Sequence, residues 1–482
     1  MKIYLLNPPF KPNFVRCGRW QGSVARGGTL YYPIFLSYAT GVLERAGYNV
    51  RLVDAIARSW DRNKVVEDIK KFCPNIIIAD SNFSSLSNDI NILNFLKKKS
   101  NAITILVGPP TSQFPERILN DGVDLVARLE YEFTLKEVVK TIEKEKDLKN
   151  IYGISYKSGK KIVHNPNREF INSKELDEMP FVSKIYKKHL NISDYVLNHT
   201  LHPMVQIFTS RGCPNQCIFC SWPKTLLGRK YRVRSAKNIA DEFEYIATEL
   251  PEIKEIFIED DTFTIDKKRI AQFTEEVIRR DLDVTWSCNA RANLDYESMI
   301  KMKKAGCRLL DVGYESGSDI LLKNMKKGIT TRDSKKFTKD AKKAGLMILA
   351  DFIFGMPGEN KETANQTIQF SKEIKPDIIQ FAPATPIPGT EYYDWVKNKG
   401  YLLYDNVEDS IDEKGYQKCN VSYPSFSDKD ITNYVVKGLK DFYLNPSYLP
   451  IAMKNIINKN GWQDIKMLSK SLFYFIKYLN GR

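Results

Sequence analysis

The chain has 482 residues, of which 43% are hydrophobic, 27% charged and 12% aromatic. Its 25 glycines and 22 prolines are too few for a collagen-like or disordered polymer, and the aromatic content favours packed cores. Lys and Arg number 73 against 58 Asp and Glu, which gives a formal net charge of +15. Because most of these cations are lysines spread along predicted helix faces, no nucleic-acid partner is expected.

Two further features concern the location of the protein. No apolar run reaches the roughly 18 to 20 residues that a membrane-spanning helix needs. The apolar stretch at the N-terminus is too short for a signal peptide, so the chain is expected in the cytoplasm. Because cytoplasmic proteins seldom keep structural disulfides, the eight cysteines require another explanation.

Residues 1–150 alternate apolar strands with amphipathic helices. The predicted strands are Ile3–Leu6, Val50–Val53, Ile76–Ala79, Thr104–Val107 and Leu125–Ala127, and the predicted helices are Ile34–Arg45, Val65–Phe72 and Asn88–Lys98. This alternation predicts βαβ units in a parallel, Rossmann-like sheet, which binds ligands at the carboxyl ends of its strands. The segments predicted at that edge are Asn7-Pro8-Pro9, Ser81-Asn82-Phe83 and Gly108-Pro109-Pro110-Thr111.

The alternation stops and then resumes along the chain. Residues 151–200 lose it, which predicts a linker with a small hairpin. Residues 201–425 contain six more strands: Val205–Thr209, Glu255–Glu259, Val284–Cys288, Leu309–Gly313, Ile348–Phe354 and Ile378–Phe381. Helices between them, such as Ala236–Leu250 and Lys267–Arg279, predict a partial, open (β/α)6 TIM barrel with its chemistry on the βα loops.

Residues 426–482 are expected to form a C-terminal helical region. Ile451–Ile457 and Ile465–Leu479 carry aromatic residues among lysines. The favoured interpretation is a helical cap on the barrel, and the alternative is a helix in peripheral contact with a membrane surface.

Three cysteines follow the first predicted barrel strand. Cys213, Cys217 and Cys220 have the spacing Cx3Cx2C, and soft thiolates this close together select zinc or iron–sulfur clusters. Zinc usually takes four protein ligands, and the nearest further candidates, Cys288 and His202, are poorly spaced. Three thiolates would leave one iron of a cubane open to a small molecule. The remaining cysteines, namely Cys17, Cys73, Cys307 and Cys419, are expected as buried free thiols.

This motif resembles that of the radical S-adenosylmethionine (SAM) enzymes, in which an aromatic residue precedes the last cysteine, as Phe219 does here. The resemblance implies that Cys213, Cys217 and Cys220 are catalytic ligands of a 4Fe-4S cluster whose fourth iron is chelated by SAM. It also implies SAM contacts on successive strand ends. These are Glu259, Asp260 and Asp261 at the methionyl amine, Arg291 at the carboxylate, Glu315 and Ser316 at the ribose, and Gly355 at the adenine.

A flavodoxin-like sheet before such a barrel resembles the cobalamin-binding-domain subfamily, and this resemblance covers most of residues 1–425. It implies that cobalamin is held at the strand-end segments, by Pro8, Pro9, Ser81, Asn82, Gly108, Pro109 and Thr111. The chain departs from the pattern at Pro110, where relatives often have His, and at Leu129-Glu130-Tyr131-Glu132 in place of Gly-Glu-Gly-Glu. The alternative is a sheet retained for substrate binding or packing.

The function implied is methylation. A 5′-deoxyadenosyl radical would remove hydrogen from an unactivated carbon of a small-molecule or lipid-like substrate, and methylcobalamin would donate the methyl group. An external one-electron reductant such as flavodoxin or ferredoxin would be required. One alternative is an oxidative cyclase or ring-rearranging enzyme. A tRNA methylthiotransferase is less favoured because the second cysteine trio of that family is missing, and a non-catalytic cluster sensor is the last alternative.

Overall fold

The computed structural model describes residues 1–18, 22–25 and 27–448. In the first part of the chain the strands are β1 (Lys2–Asn7), β2 (Phe14–Val15), β3 (Ser23–Val24), β4 (Asn49–Asp54), β5 (Ile76–Asp80), β6 (Ile103–Val107) and β7 (Leu125–Ala127). The helices are α1 (Ile34–Arg45), α2 (Arg62–Phe72), α3 (Leu86–Ser100), α4 (Pro115–Asn120) and α5 (Glu132–Glu143). The predicted strands and helices of this part are confirmed, with bounds that shift by up to three residues.

Five of these strands form a parallel sheet in the order β4-β1-β5-β6-β7. This is the flavodoxin-like order, with helices on both faces, so that every strand is buried on two sides. The consequence is visible in β5, where Ile76, Ile77, Ile78 and Ala79 are all fully buried. α2 begins at a polar cap, where the Asp61 side chain accepts a hydrogen bond from the Lys64 amide.

Residues 151–200, predicted as a linker with a hairpin, contain β8 (Ile154–Ser158), β9 (Lys161–His164), α6 (Ser173–Glu178) and α7 (Val182–His189). β8 pairs antiparallel with β7 and with β9, so the hairpin extends the first sheet to seven strands. α7 packs against α1 and donates a hydrogen bond from the Ser183 hydroxyl to Glu242 of the following domain. This segment therefore makes specific contacts with both neighbouring domains.

The second sheet has six parallel strands in sequential order: β10 (Met204–Ile207), β13 (Glu255–Ile258), β14 (Trp286–Ala290), β15 (Cys307–Glu315), β16 (Met347–Phe354) and β17 (Ile378–Pro383). A short antiparallel ladder joins β11 (Ser210–Arg211) to β12 (Arg232–Val233). The helices are α8 (Trp222–Thr225), α9 (Ala236–Glu249), α10 (Lys267–Arg279), α11 (Tyr296–Lys304), α12 (Asp319–Asn324), α13 (Thr331–Lys343), α14 (Lys361–Ile374), α15 (Glu391–Asn398) and α16 (Asp428–Tyr443). The predicted partial (β/α)6 barrel is confirmed.

The two α/β domains share one apolar core through α1. Phe35 of α1 contacts Phe208 and Trp222 of the barrel, with ring centroids 5.2 and 5.5 Å away. Tyr38 accepts a hydrogen bond from the amide of Phe208 at 3.0 Å. Because α1 packs on both domains, it holds the first sheet near the first strand of the barrel.

Cys17, Cys307 and Cys419 are buried as predicted, but Cys73 is exposed, because it ends α2 in a left-handed conformation with φ of 52°. The predicted helices Ile451–Ile457 and Ile465–Leu479 lie outside the described residues. Within the described part of the chain, no helix combines the length and the apolar character needed to cross a membrane.

Candidate active site

The cysteine loop starts and ends at the β11–β12 ladder, which pairs Arg211 with Arg232. Gly212 follows directly with φ of 81°, and a Cβ on it would lie 2.2 Å from the carbonyl oxygen of Lys230. Only glycine fits such a close approach of two backbone segments. The ladder and Gly212 therefore close residues 212–231 into a compact loop at the carboxyl end of β10.

The three thiols differ in exposure. Cys213 and Cys217 are buried, and Cys220 is partly exposed. The side-chain amide of Asn215 donates to the Cys213 sulfur at 3.2 Å, and the Thr262 hydroxyl lies 4.0 Å from the same sulfur. Hydrogen-bond donors around a thiolate stabilise its negative charge and tune the potential of a bound cluster.

The loop reaches across the mouth of the barrel. The amide of Ile218 donates to the carbonyl of Met325, which follows α12, at 3.1 Å. The carbonyl of Ile218 accepts from the amide of Tyr392 in α15 at 3.0 Å. Phe219, the aromatic residue of the motif, is partly buried against the shared core. The loop is thus fixed both at its base and at its centre, on opposite sides of the barrel.

The donor set fits an iron–sulfur cluster better than a single ion. Among the described residues, no three His, Cys, Asp or Glu side chains converge as the ligands of one metal ion would. A zinc site needs four such ligands around one point. In a cubane each of the three cysteines binds a different iron atom, so three cysteines spread along one loop can all be ligands. These residues would hold the cluster and leave its fourth iron open.

The three carboxylates of the acidic segment after β13 contact different parts of the barrel. Asp260 is fully buried and accepts from the amides and the hydroxyls of both Thr209 and Ser210, at 2.5 to 2.8 Å. Its carboxylate therefore holds the end of β10 rather than a ligand. Glu259 accepts from Gln206 at 2.8 Å, and Asp261 accepts from the amide of Gly212 at 3.1 Å. Asp261 thereby connects the acidic segment to the cysteine loop.

A buried ion pair that the sequence did not reveal lies beside the cysteines. Lys327 donates to Glu315 at 2.6 Å, with side-chain exposures of 10% and 7%. Burial lowers the pKa of Lys327, but the charges of Glu315 and of the Cys217 sulfur offset this, so the net direction is upward. Lys327 was missed because Lys-Lys pairs such as Lys335-Lys336 usually cover solvated faces.

Arg291 completes this cationic side of the site. It is 8% exposed, its charge interacts with Lys327, and none of the described residues accepts a hydrogen bond from its guanidinium. One of its nitrogens would lie 3.1 Å from a Cβ on Gly328, the residue after Lys327. The structure therefore brings Arg291, Lys327 and Glu315 together near Cys217, an arrangement able to bind a carboxylate.

The remaining predicted SAM contacts lie on the last strand ends. Ser316 bonds to Thr367, with 3.2 Å between the hydroxyl oxygens, and accepts from the amide of Ser318. Gly355 has φ of 100°, donates its amide to Glu359, and accepts from the hydroxyls of Tyr392 and Tyr423. Both residues are fixed by protein hydrogen bonds, so they shape the backbone of the site more than they present free polar atoms.

The carboxyl edge of the first sheet faces the barrel across a small buried cavity. Its walls are Arg16, Cys17, Phe35, Asp80, Gly108, Pro109, Tyr131, Trp222 and Leu226. Cys17 donates to Asp80 at 3.3 Å, and burial raises the pKa of Asp80 to about 7. The hydroxyl of Tyr131 is buried and has no hydrogen-bond partner among the described residues. An unsatisfied buried hydroxyl in a cavity wall points to a missing ligand or water.

Of the predicted cobalamin contacts, Gly108 and Pro109 line this cavity and the others are engaged elsewhere. Thr111 donates to the carbonyls of Gly108 and Ala127, and Ser81 donates to Asp89. Asn82 donates to the carbonyl of Arg16. The carbonyl groups of Pro8 and Pro9 accept from Arg16 and Asn88, respectively. Tyr131, from the segment Leu129-Glu130-Tyr131-Glu132 that departs from the family pattern, and Cys17 also line the cavity.

Comparisons with known proteins agree with this geometry. Residues 207–371 match the model of the radical SAM superfamily. An uncharacterized methyltransferase of Pyrococcus horikoshii is 31% identical over 468 residues, which cover 96% of each chain. The anaerobic magnesium-protoporphyrin IX monomethyl ester cyclase of Rubrivivax gelatinosus is 25% identical over 434 residues, covering 86% of this chain and 74% of the cyclase.

The fold is also similar to that of a solved structure. The radical S-adenosylmethionine methyltransferase TsrM from Kitasatospora setae, solved with cobalamin and a 4Fe-4S cluster bound, matches with a TM-score of 0.72. The match has 17% sequence identity and covers 92% of this chain and 89% of TsrM. The architecture of a flavodoxin-like sheet facing a partial barrel is therefore shared over nearly the whole chain.

Proposed function

This chain belongs to the radical SAM superfamily, and we propose that it is a cobalamin-dependent methyltransferase acting on an unactivated carbon of a small-molecule or lipid-like substrate. The observation that carries the proposal is the placement of the cysteine loop. Three thiols lie at the mouth of a partial barrel, and the loop also contains Trp222 and Leu226, which line the cavity at the edge of the first sheet. One loop thus adjoins both proposed cofactor sites.

The residues of the chain have distinct tasks in this proposal. Cys213, Cys217 and Cys220 hold the cluster, while Lys327 and Arg291 provide the positive charge that would bind the carboxylate of SAM. Gly108, Pro109 and Tyr131 offer cobalamin a concave surface and one hydroxyl donor. When bound, the cluster supplies the electron that cleaves SAM, and cobalamin supplies the methyl group; the protein positions both and excludes water. The shared apolar core around Phe35 and Trp222 suits that exclusion.

The proposed partners are a substrate and an electron donor. The relative from Pyrococcus horikoshii is named a methyltransferase, which favours a methyl acceptor as substrate. The partial exposure of Cys220 leaves one side of the loop accessible to an external one-electron reductant such as flavodoxin or ferredoxin. The cytoplasmic location, and peripheral membrane contact through residues beyond 448, stay predictions.

A second candidate function is oxidative cyclisation on the same scaffold. The cyclase of Rubrivivax gelatinosus is similar over most of both chains, which favours this alternative. The two functions share cluster and SAM chemistry and differ in whether carbon is added to the product.

Product analysis tests the proposal. The anaerobically reconstituted enzyme is incubated with reductant, cobalamin, a cell extract that serves as substrate source, and SAM carrying a deuterated methyl group. The proposed function predicts a product that has gained the labelled methyl group, with 5′-deoxyadenosine formed alongside. A product of lower hydrogen content and no label would indicate cyclisation. Absence of 5′-deoxyadenosine would contradict both functions.

A further inference from the structure

A buried ionic network connects the N-terminal domain to the base of the cysteine loop. Arg211 donates to Glu132 at 2.6 Å and lies 3.4 Å from Glu130, while Arg232 donates to Glu130 at 2.6 Å. Glu130 and Glu132 stand just before and at the start of α5, whereas the two arginines face each other across the β11–β12 ladder. The network therefore fixes the point at which the loop begins and ends.

The network is closed off from water. All four side chains are at most 3% exposed. Burial lowers the pKa of Arg211, but the charges of Glu132 and Glu130 outweigh this, so its pKa is raised and the guanidinium stays charged. Two cations and two anions balance one another at this place. In a buried network with such balance, removing one partner leaves an uncompensated charge that solvent does not screen.

Further contacts keep the arginines in place. Arg232 also donates to the carbonyl of Ile171 at 2.6 Å, and Glu130 accepts from the amide of Ile171 at 2.8 Å. The Arg211 guanidinium lies over the rings of Tyr38 and Phe208, 5.2 and 5.6 Å from their centroids. Because Arg211 precedes Cys213 by two residues, its position fixes the first cysteine of the loop.

We propose that Glu130 and Glu132 are positioning residues for the cluster, through which the N-terminal domain sets the cluster's reduction potential. This inference rests on the proposed function, because it requires a cluster at the three cysteines. Reduction adds one negative charge to a cluster whose first ligand, Cys213, follows Arg211 by two residues. The Glu132 carboxylate compensates the charge of Arg211. When Gln replaces Glu132, the uncompensated positive charge favours the reduced cluster.

The test is a redox titration of the reconstituted protein, followed by the electron paramagnetic resonance signal of the reduced cluster. Glu132→Gln is expected to increase the equilibrium constant for reduction about fivefold, which is about 41 mV at 59 mV per tenfold change for one electron. Arg211→Gln alone should shift the potential in the opposite direction. The double variant should return close to the wild-type value, as expected for two coupled residues.

Asp68→Asn is the control, because it frees Arg51 of β4, four strands away from β7, from its bidentate pair with Asp68 of α2. It should leave the potential unchanged. An unchanged potential in Glu132→Gln with an intact cluster signal would overturn the inference. A wild-type protein that assembles no cluster would instead overturn the proposed function. If Glu132→Gln fails to fold, Glu130→Gln provides the same test through Arg232, and no shift in that variant would count against the inference.

Discussion

The two sheets present very different carboxyl edges. At the barrel edge the site is built from charged and soft side chains: the cysteine sulfurs, the Lys327–Glu315 pair and Arg291. At the edge of the first sheet, Gly108 at φ of 102° and polar side chains such as Arg16 and Asp80 line a cavity that has apolar walls on the barrel side. The difference follows from what each edge is proposed to hold. A metal cluster needs specific ligand atoms, whereas a large organic cofactor needs a concave surface.

The largest effect is expected from the cysteines. Replacing Cys213, Cys217 and Cys220 together by Ala should abolish the cluster and reduce SAM cleavage to the level of the cluster-free chain, because no other cysteine stands close in sequence. Iron and sulfide content and 5′-deoxyadenosine formation measure this. Cys73→Ala, at an exposed cysteine at the end of α2, is the control and should keep both. Cluster retention in the triple variant would refute the site.

The Lys327–Glu315 pair should matter next. Lys327→Met leaves the Glu315 carboxylate buried without its cation, which costs about 4 kcal/mol of unfolding free energy and weakens SAM binding. Its neighbour Lys326 pairs with Glu391 at the surface, both being more than half exposed, so Lys326→Met should cost less than about 1 kcal/mol. Denaturant unfolding and SAM titration check both variants. Equal effects at the two positions would contradict a role for Lys327 in the site.

A substitution at Gly108 tests whether cobalamin binding at the first sheet is independent of cluster binding at the barrel. A Cβ there would lie 2.3 Å from the carbonyl oxygen of Ser81, and φ is positive, so Gly108→Ala should cost about 3 kcal/mol. It should weaken cobalamin binding, measured by absorbance, while the iron content stays normal. Gly47→Ala is the control, because φ there is 89° but no atom lies within 4 Å; it should cost about 1 kcal/mol and keep cobalamin. Unaltered cobalamin binding in Gly108→Ala would place the corrin elsewhere.

The smallest expected effect is a pH dependence at Asp80. Burial raises its pKa to about 7, above the value of the unfolded chain, so the folded state binds the proton more tightly. The stability that this proton contributes is present at low pH and is lost as pH rises through 7. Between pH 6 and 8 wild type should therefore lose about 1 kcal/mol relative to Asp80→Asn, which stays neutral. Parallel stability curves for the two proteins would contradict a buried titrating carboxyl.

The difference between the two sheet edges also explains which features could be predicted from the sequence. Strand and helix positions were predicted closely because parallel strands are continuous apolar runs and helix faces are periodic; α1 and β7 match to the residue. The cysteine loop was found because its chemistry needs thiols at fixed spacing. Lys327 was not found, because only the folded chain shows that one lysine of a pair is buried.

The edge of the first sheet was harder to predict. The strand-end segments and the departure at Leu129-Glu130-Tyr131-Glu132 were identified, but only the folded chain shows that Cys17 and Tyr131 line the same cavity. Asp260 shows the converse. The family resemblance implied a contact between Asp260 and the methionyl amine of SAM, whereas its carboxylate accepts hydrogen bonds from Thr209 and Ser210. The sequence pattern predicts which residues lie at the edge of a sheet. Which of their side chains can still bind a ligand depends on the hydrogen bonds that they make within the protein.

The most direct test is elemental analysis of protein purified without oxygen, combined with electron paramagnetic resonance of the reduced sample before and after SAM is added. We expect about four irons and four sulfides per chain, and a spectrum that changes when SAM reaches the open iron. One zinc per chain in place of iron, or a cluster spectrum unaffected by SAM, would contradict a three-cysteine cluster with a vacant coordination site.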